Sequence, residues 1–192
     1  LKKYEEAITY YNQAIQLKPD YAQAFNNLGI TQKELGRYEE AVGSYNKAIK
    51  IKSDFFEAHN NLGVALNELG KQSEAIESYT NSIEINPNFS QAHNNLAVTL
   101  SVLGQYQEAV SSCQTALKIN SSYVEAYYNL GIALDGLGKT DEAIANYKLA
   151  IKLNPLCAEA HNNLANIFRD RKVFDKAIEH FDLVNTPIAE AN

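Results

Sequence analysis

At 192 residues, 45% of them apolar and 21% charged, the chain is long and apolar enough to bury a core, which excludes a wholly disordered polypeptide. A net charge of −6, with its 17 Lys and Arg scattered rather than gathered on one face, excludes a reader of phosphate backbones, and no nucleic-acid partner is expected. The apolar runs fall far short of the ~20 residues that span a bilayer, and the opening LKKYEEAITYY lacks the apolar stretch and cleavage site of a secretory signal, so no membrane span and a cytoplasmic location are expected.

In chain order, residues 1–21 read as a partial unit, one helix without its partner, with Tyr4, Ile8 and Tyr11 partly uncovered. From Ala22 onward the sequence repeats: Ala24, Ala58, Ala92, Ala126 and Ala160 fall 34 apart, as do Leu28, Leu62, Leu96, Leu130 and Leu164. Four full units follow, 22–55, 56–89, 90–123 and 124–157, then a last one, 158–184, whose end diverges. Residues 185–192 read as the start of a further helix or a linker, with Thr186 and Pro187 suited to a cap and first turn. Both ends therefore look cut from a longer protein.

Inside the first full unit, Phe25, Leu28, Gly29, Gln32 and Leu35 step by three and four, and Gly36 follows as a glycine past a helix end does. A second helical stretch carries Tyr38, Ala41, Val42, Tyr45, Ala48 and Ile49 and stops near Ser53, where sister units place Pro19, Pro87 or Pro155. Each unit is thus two helices, A and B, joined by a tight turn. Counting from Ala22, position eight is always small (Gly29, Gly63, Ala97, Gly131, Ala165), position 20 is alanine, and position 24 is Tyr11, Tyr45, Tyr79, Cys113, Tyr147 and Phe181. Small residues let A and B approach, and the large one fills the space beside them. One such hairpin cannot bury its apolar face alone, so units must stack.

The pattern AFNNLG…LGRYEEAVGSYNKAIKI and its downstream copies closely resemble the tetratricopeptide repeat family over residues 1–184. The resemblance implies an all-α, right-handed superhelical solenoid of antiparallel helix pairs, with the A helices lining a concave face. Departures are modest: position four, often a large aromatic in the family, is Phe25, His59, His93, Tyr127 and His161, while Ser53 and Ser121 replace a terminal proline.

Polar residues offer little catalytic chemistry. Equivalent histidines of stacked helices lie at least about 8–10 Å apart, and one zinc ion needs ligands at about 2.0–2.1 Å. His59, His93 and His161 therefore read as packing residues with a polar edge, and His180 as standing alone. Cys113 and Cys157, 44 apart, read as small apolar fillers, and the sequons at Asn88 and Asn120 as turns. No phosphate loop, HExxH or GxSxG occurs. No enzyme activity, catalytic residue, metal or cofactor is expected.

Asparagine is the exception. Position six is Asn27, Asn61, Asn95, Asn129 and Asn163, a poor helix former in every helix interior. Inward-facing Leu28 and the position-three alanine turn it toward the concave side. An amide can bond both N–H and C=O of an extended peptide without reading side chains, or it can bridge adjacent units; one residue can do both. The resemblance favours the first reading, because in the tetratricopeptide arm of transferases that attach N-acetylglucosamine to Ser and Thr such a ladder holds substrate backbone. Position five, with Asn60, Asn94 and Tyr128, is expected at the groove's edge, position nine supplies Val64, Val98 and Ile132, and position two Glu57 and Glu125.

None of positions two, five and six is basic, which is unlike the carboxylate clamp of chaperone adaptors. The expected function is a protein-interaction scaffold whose groove takes an extended, neutral-to-basic peptide. The alternative is the substrate-recruiting arm of a larger enzyme, such as a glycosyltransferase; self-association through uncapped ends is a third reading.

Overall fold

The structure is a computed structural model that describes residues 2–185, so the expected cap at Thr186 and Pro187 lies outside the described residues. These residues form α1 (Lys2–Leu17), α2 (Ala22–Glu34), α3 (Tyr38–Ile51), α4 (Phe56–Glu68), α5 (Gln72–Ile85), α6 (Ser90–Val102), α7 (Tyr106–Ile119), α8 (Val124–Gly136), α9 (Thr140–Leu153), α10 (Ala158–Asp170) and α11 (Phe174–Asn185), and no strand is found among them. The fold is all-α. No helix among the described residues is long and apolar enough to cross a membrane.

Two compact units divide the chain, Leu1–Thr99 and Leu100–Asn192. In the first, α2 pairs with α3 and α4 with α5, while α1 packs on α2 and α3 on α4. In the second, α8 pairs with α9 and α10 with α11, while α7 packs on α8 and α9 on α10. Helix α1 buries no residue fully, and Tyr4, Tyr10 and Leu17 stand exposed on it.

Each A helix ends in the same way. Gly36, Gly70, Gly104 and Gly138 adopt φ of 73°, 72°, 75° and 74°, the left-handed region that glycine enters without cost. The reversed chain then satisfies the last carbonyls, as where Arg37 N–H donates to Gln32 O at 2.9 Å. In the last repeat that place falls to Lys172, at φ 61°. A lysine there crowds its own carbonyl at a cost of roughly 1 kcal/mol, so Lys172→Gly is expected to raise the stability of the α10–α11 hairpin by about that amount, measured by urea denaturation. The B helices α5, α7 and α9 stop on an asparagine whose side chain replaces the lost backbone bond: Oδ1 of Asn86, Asn120 and Asn154 accepts the N–H two residues on, at 3.2, 3.1 and 3.1 Å.

The contact between position eight and position 24 organises the core. Tyr45 and Tyr79 lie 0% and 2% exposed in a cluster with Ala41, Leu62, Ala65, Leu66 and Ala75. A methyl placed on Gly29, Gly63 or Gly131 would stand 2.6, 2.6 or 2.5 Å from the ring of Tyr45, Tyr79 or Tyr147. The ring occupies the space a side chain at position eight would need. In the last repeat position eight is Ala165, and its register-mate Phe181 is only half-buried. Both cysteines are buried, and burial pushes the Cys113 thiol up to about 12, far from a reactive thiolate.

Candidate functional site

In the first unit the A helices α2, α4 and α6 bring positions two, five, six and nine into one open cavity of about 300 Å³. Asn27 and Ile30 come from α2, Glu57, Asn60 and Asn61 from α4, and Gln91 from α6, with Phe55 and Phe89 beside them. A neighbouring hollow of about 290 Å³ holds Val64 with Lys33, Glu34, Tyr38 and Glu68. Lys33 is paired with Glu34 at 3.0 Å, so the two remaining carboxylates, Glu57 and Glu68, set an acidic character along this face. Val98 and Asn95 are half-buried on α6.

The amides are hydrogen-bonded to one another in a definite order. Asn61 Nδ2 donates to Asn26 Oδ1 of the preceding repeat at 3.1 Å, and Asn95 Nδ2 donates to Asn60 Oδ1 at 3.0 Å. Asn27 Oδ1 accepts from Gln23 Nε2 at 3.1 Å and from Asn26 Nδ2 at 3.5 Å. Asn61 and Asn95 thus bridge repeats through one N–H each, which leaves a second N–H and the oxygen of each amide to offer, whereas Asn27 bonds within its own repeat. At position five Asn26, Asn60 and Asn94 are only 3%, 6% and 5% exposed, and Asn26 and Asn60 stand in the lining of the same cavity. The helical step of about 100° turns Asn26 and Asn60 toward the seam between adjacent A helices, where α2 meets α4.

The second unit differs. Glu125 is exposed on α8, and Tyr128, Asn129 and Ile132 are half-buried there. Ile132 shares a hollow of about 210 Å³ with Asp135, Asn163 and Asn166. Here Asn163 Nδ2 donates not to position five, which is Tyr128, but to the hydroxyl of Tyr147 at 3.3 Å. The ring of Tyr128 leans on that of Tyr147, with centroids 5.9 Å apart.

Sequence reasoning placed Asn26 with position five and Tyr147 in the core, but passed over the two phenylalanines. Phe55 and Phe89 had a readable signal, since Tyr21, Phe55, Phe89 and Tyr123 all close a period with an aromatic.

The histidines hold structure together. Nε2 of His59, His93 and His161 donates to the carbonyls of Ser53, Pro87 and Pro155 at 3.0, 3.0 and 3.1 Å, and Tyr127 reaches Ser121 O in the same register at 3.3 Å. His180, expected to stand alone, does not: its Nδ1 lies 2.9 Å from Nδ1 of His161 and its ring stacks on Phe168. With Nε2–H of His161 committed to Pro155 O, Nδ1 of His161 must accept and His180 must donate. Burial holds His180 below the usual histidine range, with the charges of His161 and Lys148 acting in the same direction and Glu179 against them. A folded-state value below the unfolded one means stability that is complete above pH ~6.5 and falls as pH drops through and below it. The unfolding temperature of wild type is expected to fall more between pH 7.5 and pH 5 than that of His180→Gln, and parallel curves would contradict this. No group of three or more His, Cys, Asp or Glu able to hold a metal ion occurs among the described residues.

Comparison with known families matches models of the tetratricopeptide repeat to residues 1–36 and 33–70, to 56–89, to 88–155 and to 128–187. No curated protein matches significantly. Among solved structures, MamA is 25% identical over 82% of this chain and 92% of that one, with a TM-score of 0.71. YrrB, described as having an unusual peptide-binding site, is 22% identical over 91% and 90%, with a TM-score of 0.69. The thermophilic protein TTC0263 of Thermus thermophilus is 22% identical over 88% and 93%, with a TM-score of 0.75.

Proposed function

The chain belongs to the tetratricopeptide repeat family, and from that premise we propose that it is a protein-interaction scaffold whose first-unit groove binds an extended peptide through the amides of Asn61 and Asn95. The observation that carries the reading is the cavity that gathers Asn27, Asn60, Asn61, Glu57 and Ile30 from consecutive A helices. Peptide N–H and C=O groups alternate along an extended strand, and amides spaced one repeat apart can meet them without reading side chains. Glu57 and Glu68 favour a neutral-to-basic partner, since an acidic segment would bring like charge onto the same face. That YrrB, a protein of the same fold, is described as having a peptide-binding site lends the reading support.

Selection from a displayed random-peptide library, followed by calorimetry on the enriched sequences, tests it. Wild type is expected to enrich basic or neutral peptides whose affinity falls about tenfold in the Asn61→Ala/Asn95→Ala double variant, the worth of one or two hydrogen bonds. N-methylation along the peptide backbone is expected to weaken binding more than alanine replacement of its side chains. Unchanged affinity in the double variant with the fold retained would refute the amide role.

A further inference from the structure

The two settings of the position-six amide follow from the residue at position five of the repeat before. Where that residue is asparagine, Asn26 or Asn60, its buried oxygen takes the N–H of Asn61 at 3.1 Å or of Asn95 at 3.0 Å. Where it is Tyr128, the following amide, Asn163, turns instead onto Tyr147, whose side chain is 2% exposed. An amide rotates as a rigid plane, so fixing where one N–H points also fixes where the oxygen and the other N–H point. The side chains of Asn61 and Asn95 are anchored through these two oxygens.

Resting on the groove reading above, we infer that Asn26 and Asn60 are positioning residues for peptide binding: each holds the next repeat's amide in the one orientation that presents its oxygen and free N–H to a peptide backbone. Both lie 3–6% exposed within the lining of the same cavity, and each acts through the amide it holds. Preorganisation of this kind raises affinity by removing rotational freedom before the ligand arrives. Tyr128 withholds the same service from Asn163, so the second unit's hollow lined by Asn163 is not set for backbone capture, and the peptide site belongs to the first unit.

The side-chain NH2 resonances of Asn61 and Asn95 provide a test that needs no peptide. In wild type each pair is expected to show one slowly exchanging, downfield proton, the one held by Asn26 or Asn60. Asn60→Leu is expected to remove that protection at Asn95 and leave it at Asn61, and Asn26→Leu the reverse. Asn60→Asp keeps an acceptor oxygen and is expected to keep the protection, which separates loss of the hydrogen bond from damage to the fold. Affinity for a selected library peptide is expected to fall about three- to tenfold in Asn60→Leu and to recover in Asn60→Asp. Tyr128→Asn is expected to shift the Asn163 resonances as that amide leaves Tyr147. Side-chain exchange unchanged in Asn60→Leu would overturn the assignment, and so would altered exchange with affinity unchanged. Because the resonance arm is independent of ligand, its failure is distinct from a failure of the groove reading, which rests on the Asn61→Ala/Asn95→Ala comparison.

Discussion

Gly63→Ala is expected to destabilise the first unit by about 1–3 kcal/mol, the cost of forcing one methyl into a filled core. The new Cβ would stand 2.6 Å from the ring of Tyr79, whose burial leaves it nowhere to move: it is 2% exposed and packed with Leu62, Leu66 and Ala75. The obvious objection is that glycine in a helix is itself unfavourable, so alanine ought to help. Gly43 provides that control, because it lies within α3 with no atom within 4 Å of an added Cβ. Gly43→Ala is therefore expected to stabilise by roughly 0.5–1 kcal/mol, the ordinary propensity gain. One chemical change at two helical glycines thus carries opposite signs, and urea denaturation of the two variants decides the matter. A Gly63→Ala variant as stable as wild type would mean that the ring contact does not hold the hairpin together.

Removing a single oxygen from Tyr45 is expected to raise stability by about 1–2 kcal/mol. Tyr45 is 0% exposed and its hydroxyl is buried without a hydrogen-bond partner. Its register-mates are satisfied: the hydroxyl of Tyr79 bonds to Thr99, and that of Tyr147 accepts from Asn163. Where Thr99 stands in its own repeat, the repeat after Tyr45 has Ala65, which offers no side-chain partner. The stranded hydroxyl forfeits its hydration and gains nothing for it, and the same burial drives its ionisation well above the ordinary tyrosine range. Tyr45→Phe should then stabilise while Tyr79→Phe and Tyr147→Phe destabilise, a difference in sign that thermal unfolding of the three variants reads directly. Equal losses in all three would mean that the Tyr45 hydroxyl does have a partner.

Much of the helix layout was legible because the rules that set it act over a few residues. A left-handed glycine after four of the A helices, at Gly36, Gly70, Gly104 and Gly138, and the Asn that stops α5, α7 and α9 are local constraints, readable from spacing alone. The opposition of Gly29 and Tyr45 was legible too, since alternate small and large residues at a fixed interval are meaningful only if they meet. The site was less open to reading. A helical wheel gives the angle at which Asn60 leaves α4, but not the height of the neighbouring helix that buries it. Likewise the contact of His161 with His180 arises in one repeat only, so periodicity, the strongest signal in the chain, was blind to it. The turning of Asn163 toward Tyr147 depends on Tyr128, one departure from a repeated pattern, and its effect falls on a residue of the next repeat.

The bond from position four to the tail of the preceding B helix has a further implication for how such a chain can change length. His59, His93, Tyr127 and His161 each reach back to a carbonyl six residues earlier, and imidazole and phenol serve equally. Each of these four periods therefore brings the donor for the turn that follows its predecessor's B helix, whereas Phe25 brings none. Duplication or loss of a whole period by recombination keeps every such donor matched to an acceptor, whereas a breakpoint between the two partners would orphan both. The chain can lengthen or shorten by cassettes, with no residue at the join needing to change.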